Sequence, residues 1–166
     1  MIITRIWDYR LLPYLPDAQF KGQLRELVKI MRDCRDDGET NHLLINLVMY
    51  FAPRNLTSYF LRYNEEYTKR YGKNIDRNIY WEFLNFANYE IEKDYKVSFA
   101  NGVDVVSVKV LKDIFAGWHN KEYLRVCMAN LYEKHFFGIG KSRITDEEWQ
   151  TLCEGYKAIT GEEYVI

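Results

Sequence analysis

The spacing of apolar residues after Pro16 constrains the fold of this chain more than any other feature of its sequence. Large apolar side chains recur there every three or four residues, which places them on one face of a helix. These side chains are Phe20, Leu24, Leu27, Val28 and Met31. Asp17 can cap the first turn through its carboxylate, so the pattern predicts a helix from about Asp17 to Arg35. Glu26 lies at one edge of the apolar face.

A basic stripe follows the same helical period and consists of Lys21, Arg25, Lys29 and Arg32. Such a stripe is usually a solvated helix face and seldom identifies a function by itself. One hypothesis is therefore a plain helical structural module in which Arg25 and Glu26 form a surface ion pair. The other hypothesis is a phosphate-binding face, because guanidinium groups form bidentate hydrogen bonds with phosphates.

The composition is that of a packed globular chain, since 48% of its 166 residues are apolar and only three are proline. The net charge of −1 argues against a strong general nucleic-acid binder. The charge is unevenly distributed, however. Residues 1–73 carry 12 Lys and Arg against 9 Asp and Glu, whereas residues 74–166 carry 11 against 15. The basic first part is compatible with a local phosphate-binding face.

The cysteines and the lengths of the apolar runs indicate the cellular compartment of the protein. Cys34, Cys127 and Cys153 are odd in number and far apart, which predicts reduced thiols in a cytoplasmic protein. All three fall on apolar helix faces and are expected in the core. No apolar run approaches the roughly 20 residues that a membrane-spanning helix needs, so no membrane partner is expected.

The remaining chain predicts a mainly α protein, a compact helical domain of about six helices. A second helix is capped by Thr40 or Asn41 and ends at Pro53; a third is capped by Asn55 and ends at Gly72. The apolar face of the second helix is expected to contain Leu43, Leu44, Leu47, Val48 and Phe51.

A fourth helix is predicted from Asp76 to about Lys93, and a fifth from near Asn120 to a point before Gly138. The last helix starts with a capping box from Thr145 to Glu148 and is expected to bury Trp149, Leu152, Cys153 and Tyr156. One small β-hairpin is predicted near residues 96–106, because Asn101-Gly102 separates two runs of alternating residues.

Several short motifs are weak. The segment Gly138-Ile139-Gly140-Lys141-Ser142 is similar to the end of a phosphate-binding loop, but His135 occupies the position of the required first glycine. A helix, not a strand, precedes it, so a turn between helices is the preferred interpretation. The three histidines have no metal-ligand spacing. No metal site and no organic cofactor are therefore predicted.

The identities of the residues in the N-terminal region are more informative than their helical periodicity. It contains Arg5-Ile6-Trp7, then Leu15-Pro16, then a helix with Gln19 and Arg25-Glu26. This arrangement resembles the N-terminal region of the pyrimidine-dimer DNA glycosylases, the phage endonuclease V-like family. The resemblance predicts a glycosylase-like helical part at residues 1–75 and an additional helical part with the β-hairpin at residues 76–166; the alternative is one continuous domain.

The resemblance implies a DNA-repair glycosylase and AP lyase that acts on damaged double-stranded DNA without a cofactor. In the family, the N-terminal amine attacks the sugar C1′ and forms an imine, with help from a glutamate on the first helix. If the family's roles apply to the corresponding residues of this chain, the catalytic groups would be the Met1 amine and Glu26. The DNA-binding residues would be Lys21, Arg25, Lys29, Arg32 and Arg5.

The alternative is a catalytically inactive relative, a phage or mobile-element protein that binds nucleic acid or protein. Met1-Ile2-Ile3 precedes the family-like segment and would displace the amine, and Phe20 and Leu24 stand where many relatives carry polar residues or histidine. In this alternative the acidic, Tyr-rich second half would be a surface for a protein partner.

Overall fold

The computed structural model describes residues 6–36, 43–87, 94–99, 102–107 and 110–166. In these ranges the chain is mainly helical, which confirms that part of the prediction. The elements in order are a 3-10 helix (Tyr9–Tyr14), α1 (Asp17–Asp36), α2 (Leu43–Tyr50), α3 (Arg54–Tyr71), α4 (Arg77–Phe86), β1 (Asp94–Phe99), β2 (Gly102–Ser107), α5 (Lys121–Phe136), a 3-10 helix (Gly140–Ser142) and α6 (Asp146–Thr160). None of the described helices is long and apolar enough to cross a membrane.

The chain divides into two units by its internal packing. The first unit combines Met1–Glu26 with Ala116–Ile166, and the second is Leu27–Phe115. Helix α1 is continuous and contributes to both. The boundary near residue 75 that the resemblance suggests is a different kind of division, and it stays a prediction.

The start of α1 differs by one residue from its prediction. The helix begins at Asp17, and the backbone N–H of Phe20 donates to the carbonyl oxygen of Pro16 at 2.9 Å. Asp17 therefore belongs to the first turn instead of capping it. Its carboxylate forms an i,i+4 ion pair with Lys21 at 3.1 Å, an arrangement that suits the positive end of a helix dipole.

The first unit is built from the N-terminal arm, the 3-10 helix, the first turns of α1, and helices α5 and α6. Its core consists of fully or almost fully buried apolar side chains from all of these elements, among them Ile6, Leu11, Leu15, Phe20, Leu124, Met128, Leu131, Leu152 and Tyr156. Helix α6 packs closely against the 3-10 helix at Gly155. A Cβ on that glycine would lie only 2.4 Å from Cγ of Tyr14, so the approach requires a residue without a side chain.

Both C-terminal helices begin as predicted. The side chain of Asn120 accepts a hydrogen bond from the N–H of Tyr123 at 2.9 Å and caps α5. Thr145 and Glu148 form the predicted capping box of α6. The predicted core face of α6 is correct for Leu152 and Tyr156, which are fully buried, but Trp149 and Cys153 are only half-buried.

The second unit has its core between α3 and α4. The rings of Phe60 and Phe83 stack with centroids 4.1 Å apart, and the Thr57 hydroxyl donates to the Phe83 carbonyl at 2.7 Å. Gly72 ends α3, as predicted, and adopts the left-handed conformation. Asn55 does not cap α3 but lies inside it, where its side-chain oxygen accepts from the N–H of Phe115 at 2.9 Å.

Helix α4 starts at Asp76, as predicted, where the Asp76 side chain caps it, and its α-helical residues end at Phe86, before the expected end near Lys93. Strands β1 and β2 pair antiparallel, with Lys96 opposite Val105. The turn predicted at Asn101 lies outside the described residues.

The apolar face predicted for α2 is only partly correct. The structure buries Val48, as predicted, and also Ile45, which was not predicted, but it leaves Leu43 84% exposed and Leu47 37% exposed. Almost every residue of this helix is apolar, so periodicity alone could not choose the buried face. The proposed caps Thr40 and Asn41 lie outside the described residues.

We expect Gly155→Ala to destabilise the protein. On a solvent-facing helix position the same change would add up to about 1 kcal/mol of stability. Here the new methyl group meets the Tyr14 ring, and overpacking of this kind typically costs about 1–3 kcal/mol. The measurement is the free energy of unfolding in urea.

Glu154→Ala at the exposed neighbouring position is the control. In a Tyr14→Ala background, Gly155→Ala should become neutral or stabilising, because the ring that obstructs the methyl group is gone. A stability gain from Gly155→Ala in the wild-type background would contradict the close packing of α6 on the 3-10 helix.

Candidate functional site

Three polar side chains follow one side of α1 in the first unit: Gln19, Gln23 and Glu26. Their spacing of four and three residues places them in a row along the helix. Gln23 is buried, and its Oε1 accepts a hydrogen bond from the backbone N–H of Trp7 at 2.8 Å. Gln19 is also buried, and its Nε2 donates to the carbonyl oxygen of Ser142 at 2.9 Å. The row thus holds two separate chain segments against the helix that carries Glu26.

Glu26 itself is half-buried, and its Oε2 atom is shielded from solvent. A carboxylate in such a position interacts more strongly with a nearby positive charge than an exposed one does, because water screens it less. It can therefore stabilise a developing cation or accept a proton from a bound molecule.

The arm that precedes the 3-10 helix is held by side chains from the C-terminal part of the first unit. The Tyr123 hydroxyl donates to the carbonyl oxygen of Ile6. The N–H of Asp8 donates to Sγ of Cys127 at 3.4 Å, and the N–H of Tyr9 donates to Nδ1 of His119 at 3.2 Å. Together with the contact of Trp7 to Gln23, these bonds give three residues of the arm and the first residue of the 3-10 helix a side-chain partner for a backbone group.

His119 is the central side chain of this arrangement. Its ring stacks on Tyr9 at 5.9 Å and on Tyr123 at 4.9 Å, and Trp118 meets its edge at 4.7 Å. Burial lowers the pKa of His119 to about 4, so the ring is neutral at physiological pH. Nδ1 can accept from Tyr9 only in this neutral form.

A buried ion pair fixes the turn that follows. Asp8 has no exposed surface, and Arg10 donates to both of its carboxylate oxygens, at 3.0 and 2.9 Å. The hydrogen bond from Arg10 to Asp8 raises the pKa of the Arg10 guanidinium. Because a buried carboxylate is costly without its partner, this pair holds the backbone in one conformation.

The predicted basic stripe is largely paired with acids. Lys21 contacts Asp17, and in the second unit Lys29 contacts Asp33 at 2.8 Å. Arg32 forms two hydrogen bonds with Glu82, at 3.1 and 3.3 Å. These acids compete with any phosphate for the three cations.

Arg25 differs from the other cations of the stripe. It is exposed and forms no ion pair with any residue that the structure describes. Its guanidinium extends back over Gly22, where a Cβ would be 3.8 Å from Nη2. Of the predicted DNA-binding residues on α1, Arg25 is the one that has no ion pair with a described residue.

A comparison with known protein families identifies a match for the N-terminal part of the chain. Residues 4–79 match the family of pyrimidine dimer DNA glycosylases. The match confirms the resemblance of the N-terminal region, and at the family level it supports a DNA-repair glycosylase. No curated protein and no solved structure matches the chain.

The glycosylase-like segment, residues 4–79, contains Arg25, Glu26 and the other predicted DNA-binding residues of α1. The three side chains that hold the arm from the C-terminal side, His119, Tyr123 and Cys127, lie outside it. Sequence analysis missed them, since a buried tyrosine or histidine in an amphipathic pattern has no distinguishing spacing. Met1 and Arg5 lie outside the described residues, so their roles stay predictions.

The described residues give little support for a thiol nucleophile or a metal site. Burial raises the pKa of Cys127 to about 12 and that of Cys34 to about 11, so both thiols are protonated and poor nucleophiles at neutral pH. No group of three or more His, Cys, Asp or Glu side chains that could hold a metal occurs in the part of the chain that the structure describes.

We expect the protein to lose stability as the pH falls from about 6.5 to about 4, in part through His119. Burial lowers the pKa of His119 from its ordinary value of 6.5 to about 4 in the folded protein, so the unfolded chain binds the additional proton in this interval. The contribution is complete above pH 6.5 and is lost as the pH falls through the folded pKa. A shift of this size corresponds to about 3 kcal/mol.

The measurement is the free energy of unfolding from pH 7 to pH 4 for the wild type and for His119→Asn. Asparagine offers an acceptor near the position of Nδ1 but has no titrating group in this range. Its stability should fall less steeply with acid than that of the wild type. Identical slopes for the two proteins would show that His119 is not buried in its neutral form.

Proposed function

We propose that this protein is a DNA glycosylase with AP lyase activity that acts on damaged double-stranded DNA. The observation that carries the proposal is the contact of Trp7 with Gln23 inside the glycosylase-like segment. It holds the N-terminal arm against α1 one turn before Glu26. The six residues before Trp7 can extend up to about 20 Å, which is enough for the Met1 amine to reach the Glu26 carboxylate.

The reaction begins with a nucleophilic amine. An α-amine has a pKa of about 7.7–8.0, against about 10.4 for lysine, so it has the larger uncharged fraction at neutral pH. In the proposed mechanism the damaged nucleotide leaves the base stack and the amine attacks C1′. The bond from C1′ to the base breaks, and its electron pair leaves with the base, which takes up a proton.

Glu26 would act twice. Its carboxylate would first stabilise the positive charge that develops on the sugar as the base leaves. The C1′–O4′ bond would then break as O4′ takes the proton lost from the amine, which opens the sugar ring and gives the imine. The carboxylate would next take the proton from C2′, and the electrons of that C–H bond would expel the 3′ phosphate. The strand is thereby cleaved without water, metal or cofactor.

Arg25 would bind a phosphate next to the damaged nucleotide. It neighbours Glu26 in sequence, is exposed, and has no acidic partner among the described residues. A guanidinium also matches the geometry of a phosphate better than an ammonium does. The paired cations Lys21, Lys29 and Arg32 would contribute less, because each must first leave its carboxylate.

We expect borohydride to trap the imine. When the protein is incubated with ultraviolet-irradiated or abasic duplex DNA, reduction should leave a permanent protein–DNA crosslink that maps to Met1. Lys21 or Lys29 would carry the crosslink if the first three residues hold the Met1 amine away from the sugar. Glu26→Gln should abolish strand cleavage and leave DNA binding largely intact, since it removes the charge and keeps the shape.

Asp33→Asn is the matched control, because it makes the same kind of change on the same helix, at a carboxylate that only pairs with Lys29. It should retain both trapping and cleavage. A wild-type protein that forms no crosslink with either DNA would refute the proposal in favour of an inactive relative that binds nucleic acid or protein.

We expect binding to duplex DNA to depend on salt, with the largest single contribution from Arg25. Arg25→Gln should reduce the slope of log K against log salt concentration by about one. Lys29→Gln should reduce it less, because Asp33 already offsets the charge of Lys29. The measurement is fluorescence anisotropy at several salt concentrations, and equal effects of the two variants would contradict the role given to Arg25.

A further inference from the structure

The loop between α5 and α6 exposes an unusual amount of apolar surface. Phe136 is 65% exposed, Phe137 74% and Ile139 86%. Together with the last turn of α5, this loop comprises residues 134–143; it lies outside the glycosylase-like segment and has no part in the function proposed so far. A cluster of large exposed apolar side chains commonly marks a surface that binds something.

The same loop is basic. Residues 134–143 include Lys134, Lys141 and Arg143 and no acidic residue, and beyond its end the carboxylate of Asp146 lies 3.5 Å from His135. None of these three cations forms an ion pair with the residues that the structure describes. Aromatic side chains between unpaired cations suit a nucleic acid, because the bases offer flat apolar faces and the phosphates offer negative charge.

The loop is held in shape at both of its ends. The N–H of Phe137 donates to the carbonyl oxygen of Glu133 at 2.8 Å, and the N–H of Ile144 donates to that of Lys134 at 3.3 Å. Gly138 permits the tight path, since a Cβ there would lie 2.0 Å from the Lys134 carbonyl oxygen. A preformed loop loses little conformational entropy when it binds.

The position of the loop connects it to the proposed active site. The Ser142 carbonyl accepts the hydrogen bond from Gln19, in the row of α1 that also contains Gln23 and Glu26. Gln19 and Glu26 are seven residues apart, which is about 10 Å along the helix. One end of the loop therefore contacts α1 at Gln19, about 10 Å along the helix axis from the residue that carries the proposed catalytic carboxylate.

We propose that residues 134–143 form a wedge that enters the base stack of duplex DNA beside the damaged nucleotide. Phe137 and Ile139 insert between base pairs, while Lys141 and Arg143 bind the flanking phosphates. The proposal rests on the proposed function, which requires the damaged nucleotide to leave the stack. Apolar side chains inserted at a base step are a recurrent means of opening a duplex.

The test uses a duplex in which a tetrahydrofuran abasic analogue lies opposite 2-aminopurine. The analogue has no leaving base and cannot form the imine, so the assay is independent of catalysis. Wild-type protein should increase 2-aminopurine fluorescence as the opposite base unstacks. Phe137→Ala and Ile139→Ala should each weaken binding to this duplex on the order of ten-fold and reduce the fluorescence increase.

Two variants serve as matched controls. Tyr50→Ala removes an aromatic side chain that is 84% exposed, and Leu43→Ala removes an aliphatic one that is 84% exposed, both on α2. Neither should change binding or fluorescence. Lys141→Gln and Arg143→Gln should each lower the salt slope of binding by about one, whereas Phe137→Ala should leave that slope unchanged.

Borohydride trapping separates this proposal from the proposed function. The loop variants should lose trapping on duplex abasic DNA but keep it on a single-stranded abasic oligonucleotide, which has no stack to open. If wild-type protein forms no crosslink on either DNA, the glycosylase proposal fails, and the fluorescence assay still decides the wedge. If the loop variants behave like the wild type in the fluorescence assay, the wedge is refuted and the glycosylase proposal remains.

A second copy of this chain is the competing occupant of the loop. Sedimentation of the wild type and Phe137→Ala tests it directly. If the wild type is a dimer, the variant a monomer, and both bind the duplex equally well, the loop is an interface between copies and the DNA proposal is overturned.

Discussion

The first unit depends on how its N-terminal arm satisfies buried backbone groups. Ile6, Trp7 and Asp8 are buried but belong to neither a helix nor a strand, so they lack the usual hydrogen-bond partners. An unpaired buried N–H or carbonyl would cost about 1–3 kcal/mol. Side chains from α1 and from the C-terminal part therefore provide the partners, which requires both ends of the chain in one unit.

In this arrangement the proposed catalytic residues and the residues that hold the arm lie in different parts of the chain. Glu26 and Arg25 belong to the glycosylase-like segment, but the arm that would carry the nucleophile is held from outside that segment by His119, Tyr123 and Cys127. A division by family resemblance and a division by packing consequently differ in this chain. The additional residues need not supply a second function in order to matter, because they determine where the arm lies.

Much of the helical architecture was predictable because it rests on local rules. The capping box at Thr145, the end of α3 at Gly72 and the start of α4 at Asp76 each depend on neighbours within a few residues, and each was confirmed. The failures have other causes. Asn55 was misassigned because its partner, the N–H of Phe115, lies 60 residues along the chain, and part of the face of α2 was misassigned because almost every residue of that helix is apolar.

The ion pairs of the candidate site were likewise predictable only where both partners are close in sequence. The pairs of Lys21 with Asp17 and Lys29 with Asp33 could have been predicted, since both have i,i+4 spacing, whereas the pair of Arg32 with Glu82 could not. A helical stripe of like charges therefore overstates the charge that a ligand would meet.

In the second half of the chain, the summed charge understates the local positive charge that a ligand would meet. Its overall acidity conceals residues 134–143, which carry three cations and no acid beside their exposed aromatic side chains. Charge summed over half a chain averages over surfaces that face different partners. A phosphate interacts only with charges within about one Debye length, roughly 8–10 Å, so the local sum decides. By that criterion the basic surface that we propose to bind DNA lies outside the glycosylase-like segment, at the end of α5, and it contacts α1 where the Ser142 carbonyl accepts from Gln19.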